Sequence, residues 1–487
     1  MNKKNLIIGL LLVAALGGFL KKDFLFEQGK KMLFGPQKFQ ENTLSIVLNT
    51  PETGLSPFSV NLNDALRTAN IYQGLVAFDK NLKIVPSLAV SWGNLDPLTW
   101  EFKLRQGVFF HDRSPFTAQN VIASFNEARE TAGSEVAGYL KGIREIQALG
   151  DHYLKIITEK QDPLLLSKLA RFMVGRPGNI GTGPYKVLNW EKGARLTLTA
   201  FAEYWGKQPA YKNVEYAVMA NKTQRKTDFE NGKTDILVAV PRDQALDLPR
   251  EQLKTSYSLE VNFLMFNLQD PLMARREIRE AVRTIFDPAR IEEIGNFFVR
   301  QATQFVAPGV YGYNPDIPPF EFNEEERADA LFGNRLEKLG FDYLETYRTL
   351  AEYLGQQLRK AGFSIALHAL TPEALISKIK SGDSTLFLIG WQAEDGDAGG
   401  FLDAFIHSAG EFNNGRYTNP DVDKMIEESR VEMDPKKRLK LLQEIMLKVD
   451  DDLIGIPLFE SSRLYAVKKN IEWEPRLDGL VLASEVK

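Results

Sequence analysis

Apolar and polar residues alternate most clearly over positions 100–105: Trp100, Phe102 and Leu104 point one way, Glu101, Lys103 and Arg105 the other. A period of two predicts a half-buried strand. Leu44, Ile46 and Leu48 repeat the pattern over Thr43–Asn49, a first strand, and the spacing after it predicts a helix over Asn63–Gln73. Thr117 is placed to cap the next helix, whose Val121, Ile122, Phe125 and Ala128 share one face. Strands follow over 185–187 and 195–201, and a helix over 275–286. Downstream, an acidic helix is expected from Asn323, and a long helix over 342–361 with Tyr347, Leu350, Leu354 and Leu358 on one side. Strands over 363–369 and 386–390 flank a helix over 372–380, the alternation of an α/β domain with a parallel sheet. A helix over 435–451 and a strand over 454–459 complete the pattern.

The strand ending at Gly390 delivers Trp391 and then the acids Glu394, Asp395 and Asp397 into a loop loosened by Gly396, Gly399 and Gly400; Phe401–Phe405 reads as the first turn of a helix. An aromatic and clustered acids at the carboxyl end of a buried strand are a common way to build a ligand site in an open sheet.

At 487 residues the chain is too long for one core and should form two or three domains. Its 60 basic and 64 acidic residues give no electrostatic footprint for nucleic acid. The absence of cysteine excludes thiol catalysis, zinc–thiolate sites and disulfides. At the amino terminus, Asn2–Asn5 is basic and Leu6–Leu20 uninterruptedly apolar, an export signal. No A-x-A cleavage site follows, and Lys21 and Lys22 lead into a segment mixing Phe24, Phe26 and Phe34 with Lys30 and Lys31, suited to a membrane interface. The apolar run spans about 22 Å, short of the roughly 30 Å hydrocarbon core. The reading is an uncleaved anchor (1–20) with a linker (21–41), with cleavage as the alternative.

Catalytic and cofactor chemistry finds no foothold. His111, His152, His368 and His407 lack metal-ligand spacing and are read as ordinary surface or core residues. No G-x-S-x-G elbow occurs. The stretch Gly181–Val187 imitates a phosphate loop but lacks the following Gly-Lys-Ser/Thr and opens a strand. A calcium loop from Asp395 fails at Gly399, its third ligand position. Glu394 and Asp395 are adjacent on an extended loop and so point apart, poorly placed to flank one scissile bond.

Asn70–Asp79, Val85–Trp92, Thr99–Asp112 and Pro115–Phe125 come in unbroken order, and this series resembles the signature of bacterial extracellular solute-binding proteins of family 5, the oligopeptide, dipeptide and nickel uptake class. Gly181–Val187, Val261–Leu268, Pro308–Pro315 and Asn413–Met425 continue the likeness, which covers nearly everything from Thr43 onward. The resemblance implies an α/β, two-lobed periplasmic-binding-protein-like fold with the ligand cleft between lobes. Lobe I would take 42–60, 178–262 and 461–487, an extra domain 61–177, and lobe II 263–460. The crossings between lobes fall at Val261–Leu268 and Gly455–Ser462. The implied function is that of a non-enzymatic, cofactor-free, monomeric receptor outside the cytoplasm, passing short peptides to the permease of an ABC importer. Alternatives are a nickel or haem complex, oligosaccharide or opine as cargo, or an anchored sensor or docking protein that no longer transports.

In peptide-binding relatives, an aspartate three residues after the tryptophan of this loop pairs with the peptide's amino group. That position is Glu394 here, with Asp395 in reserve and Trp391 packing against ligand. The arginine that some relatives carry on the incoming strand is Leu388, and a proline found in many is Ala398.

Overall fold

Eleven strands join into one mixed sheet: β1 (Thr43–Leu48), β2 (Tyr185–Glu191), β3 (Arg195–Ala200), β4 (Asn213–Val218), β5 (Ile236–Val238), β6 (Leu253–Phe266), β7 (Val299–Gln301), β8 (Lys338–Leu344), β9 (Ser364–Leu370), β10 (Leu386–Gln392) and β11 (Gly455–Val467). Their lateral order is β2-β3-β4-β1-β5-β11-β6-β10-β8-β9, with β7 also paired to β11. The computed structural model describes residues 42–131, 133–323, 338–393 and 395–487. The anchor, the linker and almost all of the acidic helix expected from Asn323 lie outside these residues.

Alternation along the strands builds a core on each face. On one half of the sheet, Ile46, Leu198, Val214, Ile236 and Tyr465 pack together on one side, and Val47, Leu237, Leu464 and Ala466 on the other. On the other half, Val261, Phe263, Met265 and Phe387 share one core, and Leu264, Phe266, Phe341 and Leu388 the opposite one. A separate four-stranded antiparallel sheet (Ala89–Asp96, Thr99–Leu104, Tyr153–Thr158 and Ile143–Ala148) packs with the helices Ala118–Glu130 and Leu165–Arg171 around Phe102, Phe110 and Phe125. Ala118–Glu130 starts as expected at Thr117, whose backbone N–H donates to Asn120 Oδ1 at 2.8 Å.

β6 and β11 carry the ladder from one half to the other. Leu253–Tyr257 pair with the later part of β11, and Val261–Met265 with its earlier part. Between them Ser258, Leu259 and Glu260 have no partner on β11, where Ser461 alone fills the gap. Such an unequal count is a bulge, which bends the strand and weakens the ladder locally.

Two sequence expectations are corrected. The helix over 342–361 begins only at Arg348; Lys338–Leu344 are strand β8, followed by a short 3₁₀ turn. Phe341 and Tyr343 flank Asp342, which is 0 % exposed yet bonded to Lys378 Nζ at 2.6 Å, His368 Nδ1 at 2.8 Å and the Ser384 hydroxyl. A charged residue buried this way breaks the apolar alternation that would have marked the strand. The helix expected to reach Gln73 stops at Thr68, because Asn70 turns inward to donate to Tyr216 Oη at 2.8 Å and accept the Ala483 N–H at 2.8 Å. The second half of the sheet is also mixed: β8 runs parallel to β9 and β10, but β10 is antiparallel to β6.

Candidate ligand cleft

The loop after β10 is held by its neighbours. Asp397, 4 % exposed, meets Arg438, also 4 % exposed, in a two-pronged pair of 2.5 and 2.9 Å. Its Oδ1 further accepts the Gly399 N–H at 2.8 Å. Arg438 Nε donates to the Ser429 carbonyl at 3.0 Å, so every arm of this buried cation used here has a fixed partner. Tyr311 bonds the loop by its backbone, accepting from Ala398 N–H at 2.8 Å and donating to Gly396 O at 2.8 Å. Ala398 therefore performs a task that proline, having no N–H, could not. Asp403, the other acid of the stretch, pairs on the surface with Arg430 at 2.8 Å.

Trp391 stacks edge-on to Phe405 at 5.2 Å between ring centres, and its Nε1 is buried without a hydrogen-bond partner. Asp395 accepts the Asp397 N–H at 3.2 Å. Burial, reinforced by the like charge of Asp397, pushes its carboxyl up to about 6, against an opposing pull from Arg171. Glu394 lies outside the described residues. Leu388, where an arginine was sought, is buried in the core and offers nothing to a ligand. Gly390 is needed for space: a Cβ there would lie 2.8 Å from Asn262 Oδ1 and 2.9 Å from Glu260 Oε1.

A cavity of about 100 Å³ lies at the end of β10, lined by Phe78, Arg171, Met173, Leu259, Gln392 and Asp478 among others. Those residues come from the small sheet's domain, β6 and β10 of the large sheet and the C-terminal tail. Typical ligand pockets are roughly 300–1,000 Å³, so entry requires the walls to part. A larger opening of about 440 Å³ lies between Lys141–Lys168 and Asp403–Arg438, but Lys168, Arg430 and Arg438 on its wall already have carboxylate partners. Arg171 escaped the sequence reading because it sits in no motif; its one signal is a cation between apolar neighbours, Leu169 and Ala170 before it and Phe172 and Met173 after.

Residues 83–413 match the family described as bacterial extracellular solute-binding proteins, family 5. The chain belongs to this family. This solute-binding protein is 24 % identical to a probable di/tripeptide-binding protein 5 of Pseudomonas aeruginosa, over 88 % of its own length and 92 % of the relative's. It superposes on the unliganded open form of a periplasmic murein tripeptide-binding protein, MppA, with a TM-score of 0.83 at 20 % identity, covering 92 % of this chain and 97 % of the other. A nickel ABC transporter protein of Bacillus halodurans gives 0.82 at 20 % identity, covering 92 % and 100 %. These likenesses give the solute-binding protein a two-lobed α/β fold.

Proposed function

We propose that this protein is the substrate-binding receptor of an ABC importer, holding short peptides between its lobes and delivering them to the membrane permease. The observation that carries the reading is the cavity where Gln392, at the end of β10, meets Phe78 and Arg171 of the small-sheet domain, Leu259 of β6 and Asp478 of the tail. Ligand there touches both sides only when the lobes are shut, and so shifts the equilibrium toward closure by its differential affinity. Glu394 and Asp395 supply negative charge for the peptide's ammonium, and Trp391 forms the adjoining wall. The domain limits are those given above: lobe I at 42–60, 178–262 and 461–487, the extra domain at 61–177 and lobe II at 263–460. The protein works as a non-enzymatic monomer outside the cytoplasm, held to the membrane by its N-terminal segment. Among the described residues no helix is long and apolar enough to cross a membrane, and Leu6–Leu20 is not among them.

The nickel-protein likeness raises a metal-complex cargo as a second reading. Among the described residues no group of three or more His, Asp or Glu side chains is placed to hold a metal ion, so a metal cargo would have to bring its own chelator. The test is calorimetry and solution scattering with a di- and tripeptide library. Binding with a smaller radius of gyration and a raised unfolding temperature is expected. A library giving neither change removes the peptide-receptor reading.

A further inference from the structure

Resting on the reading of this cavity as the ligand cleft, we propose that the turn Asp79–Lys83 and the tail segment Arg476–Asp478 form a latch. Its two leucines, Leu82 and Leu477, seat on Gly396 and Gly309 and hold the cleft shut. Leu82 lies at the tip of a hairpin, Val76–Phe78 with Ile84–Pro86, that packs on the core of the small sheet. The turn is tightly tied: the Asp79 N–H donates to Lys83 O at 2.9 Å, and Asp79 Oδ1 accepts the N–H groups of Asn81 and Lys83 at 2.8 and 2.9 Å. Leu82 is left at φ of 64°. Turn geometry alone favours glycine or asparagine at such a position, so a leucine there points to a task for its side chain. That side chain is half-buried against the core to which Phe263 and Phe387 belong, beyond its own domain. Its seat is Gly396, itself at φ of 70°, where a Cβ would lie 3.3 Å from Leu82 Cδ1.

The tail repeats the arrangement. Arg476, 3 % exposed, donates to the carbonyls of Phe78 at 2.8 Å and Asp79 at 3.3 Å, and the Leu477 N–H donates to Lys80 O at 3.1 Å. Hairpin and tail are thereby one piece. Leu477 packs on the same core as Leu82, and a Cβ at its seat Gly309, at φ of 95°, would lie 2.9 Å from Leu477 Cδ1. Among the described residues, no hydrogen bond joins the turn Asp79–Lys83 to the loop 395–398. The contact is apolar and can part without breaking a hydrogen bond, while hairpin and tail keep their shape. The cavity lies directly behind it, for Phe78 opens the hairpin, Asp478 follows Leu477, and both line the wall. Cargo enters only when the leucines leave their seats, so association is slowed in proportion to the unlatched fraction.

The experiment uses the full chain in two variants. Leu82→Asn suits the left-handed turn but gives up the apolar seat. Leu82→Cys combined with Gly396→Cys places the only two cysteines in the chain at the seat, where the 3.7 Å between Leu82 Cβ and a Cβ at Gly396 lies within the about 3.5–4.5 Å that a disulfide spans. Solution scattering without peptide should give Leu82→Asn a larger radius of gyration than wild type at an unchanged unfolding temperature, and the oxidised cysteine pair the wild-type radius. Trialanine should associate at least tenfold more slowly with the oxidised pair than with the same protein reduced. A Leu82→Asn chain with the wild-type radius, whatever its unfolding temperature, overturns the latch. So does a cysteine pair that fails to oxidise, or one that takes up trialanine equally fast in both states. Scattering needs no peptide and judges the latch even where wild type binds no trialanine; the peptide library then decides the peptide reading separately.

Discussion

Asp397→Ala should be among the most damaging single substitutions around the loop after β10. It would leave the Arg438 guanidinium buried with its 2.5 and 2.9 Å partners gone and remove the acceptor of the Gly399 N–H. Breaking one side of a buried ion pair costs about 3–5 kcal/mol, because the remaining charge has neither water nor partner. With about 2–4 °C per kcal/mol for a domain of roughly 200 residues, the unfolding temperature of the domain should fall by about 6–20 °C. The assay is thermal and urea unfolding of wild type, Asp397→Ala, Arg438→Met and the double variant. The double variant should be more stable than Asp397→Ala, since it no longer buries an unpaired cation. If Asp397→Ala costs less than about 1 kcal/mol, or the double variant costs the sum of the singles, the pair is not the clamp described.

Asp395 supplies a pH test. Its folded-state value of about 6 lies above the unfolded value of about 3.9. Folding therefore favours its neutral form, and the penalty for ionisation is absent below about pH 4 and complete above about pH 6. Relative to Asp395→Asn, the wild type should lose up to about 3 kcal/mol of stability over that window; equal pH profiles in denaturant unfolding would contradict the burial of this carboxyl. Ala398→Pro should cost about 1–3 kcal/mol in the same assay, because φ of −71° suits proline and the lost N–H bond to Tyr311 is what changes. A proline variant as stable as wild type would show that the loop does not depend on that bond.

Much of the fold was legible because burial follows period. Trp100, Phe102 and Leu104 face the core of the small sheet, and Leu350, Leu354 and Leu358 line the buried side of their helix, as their spacing requires. Asp342 was misread because its charge is neutralised by Lys378, 36 positions away, a pairing that no local window contains. The acidic loop stood out as a cluster, yet sequence could not separate its members. Asp397 is consumed by Arg438, 41 positions on, whereas Asp395 makes no ion pair among the described residues and burial raises its carboxyl.

The lateral order of the large sheet also fixes when the protein can fold during synthesis. β5 lies between β1 and β11, and Ile236 and Val238 pair with Val467 and Tyr465, more than two hundred positions later. Leu44 and Ile46 share a core with Trp473, Val481 and Val486. A nascent chain stopped between β5 and β11 has strands β1–β5 but neither the strand nor the tail that covers them. Contacts of such long sequence separation form slowly and late. This half of the sheet is consequently the last to be completed, and it stays open until β11 and the segment through Val486 have left the ribosome, the condition a chain must meet to be threaded across a membrane before it folds.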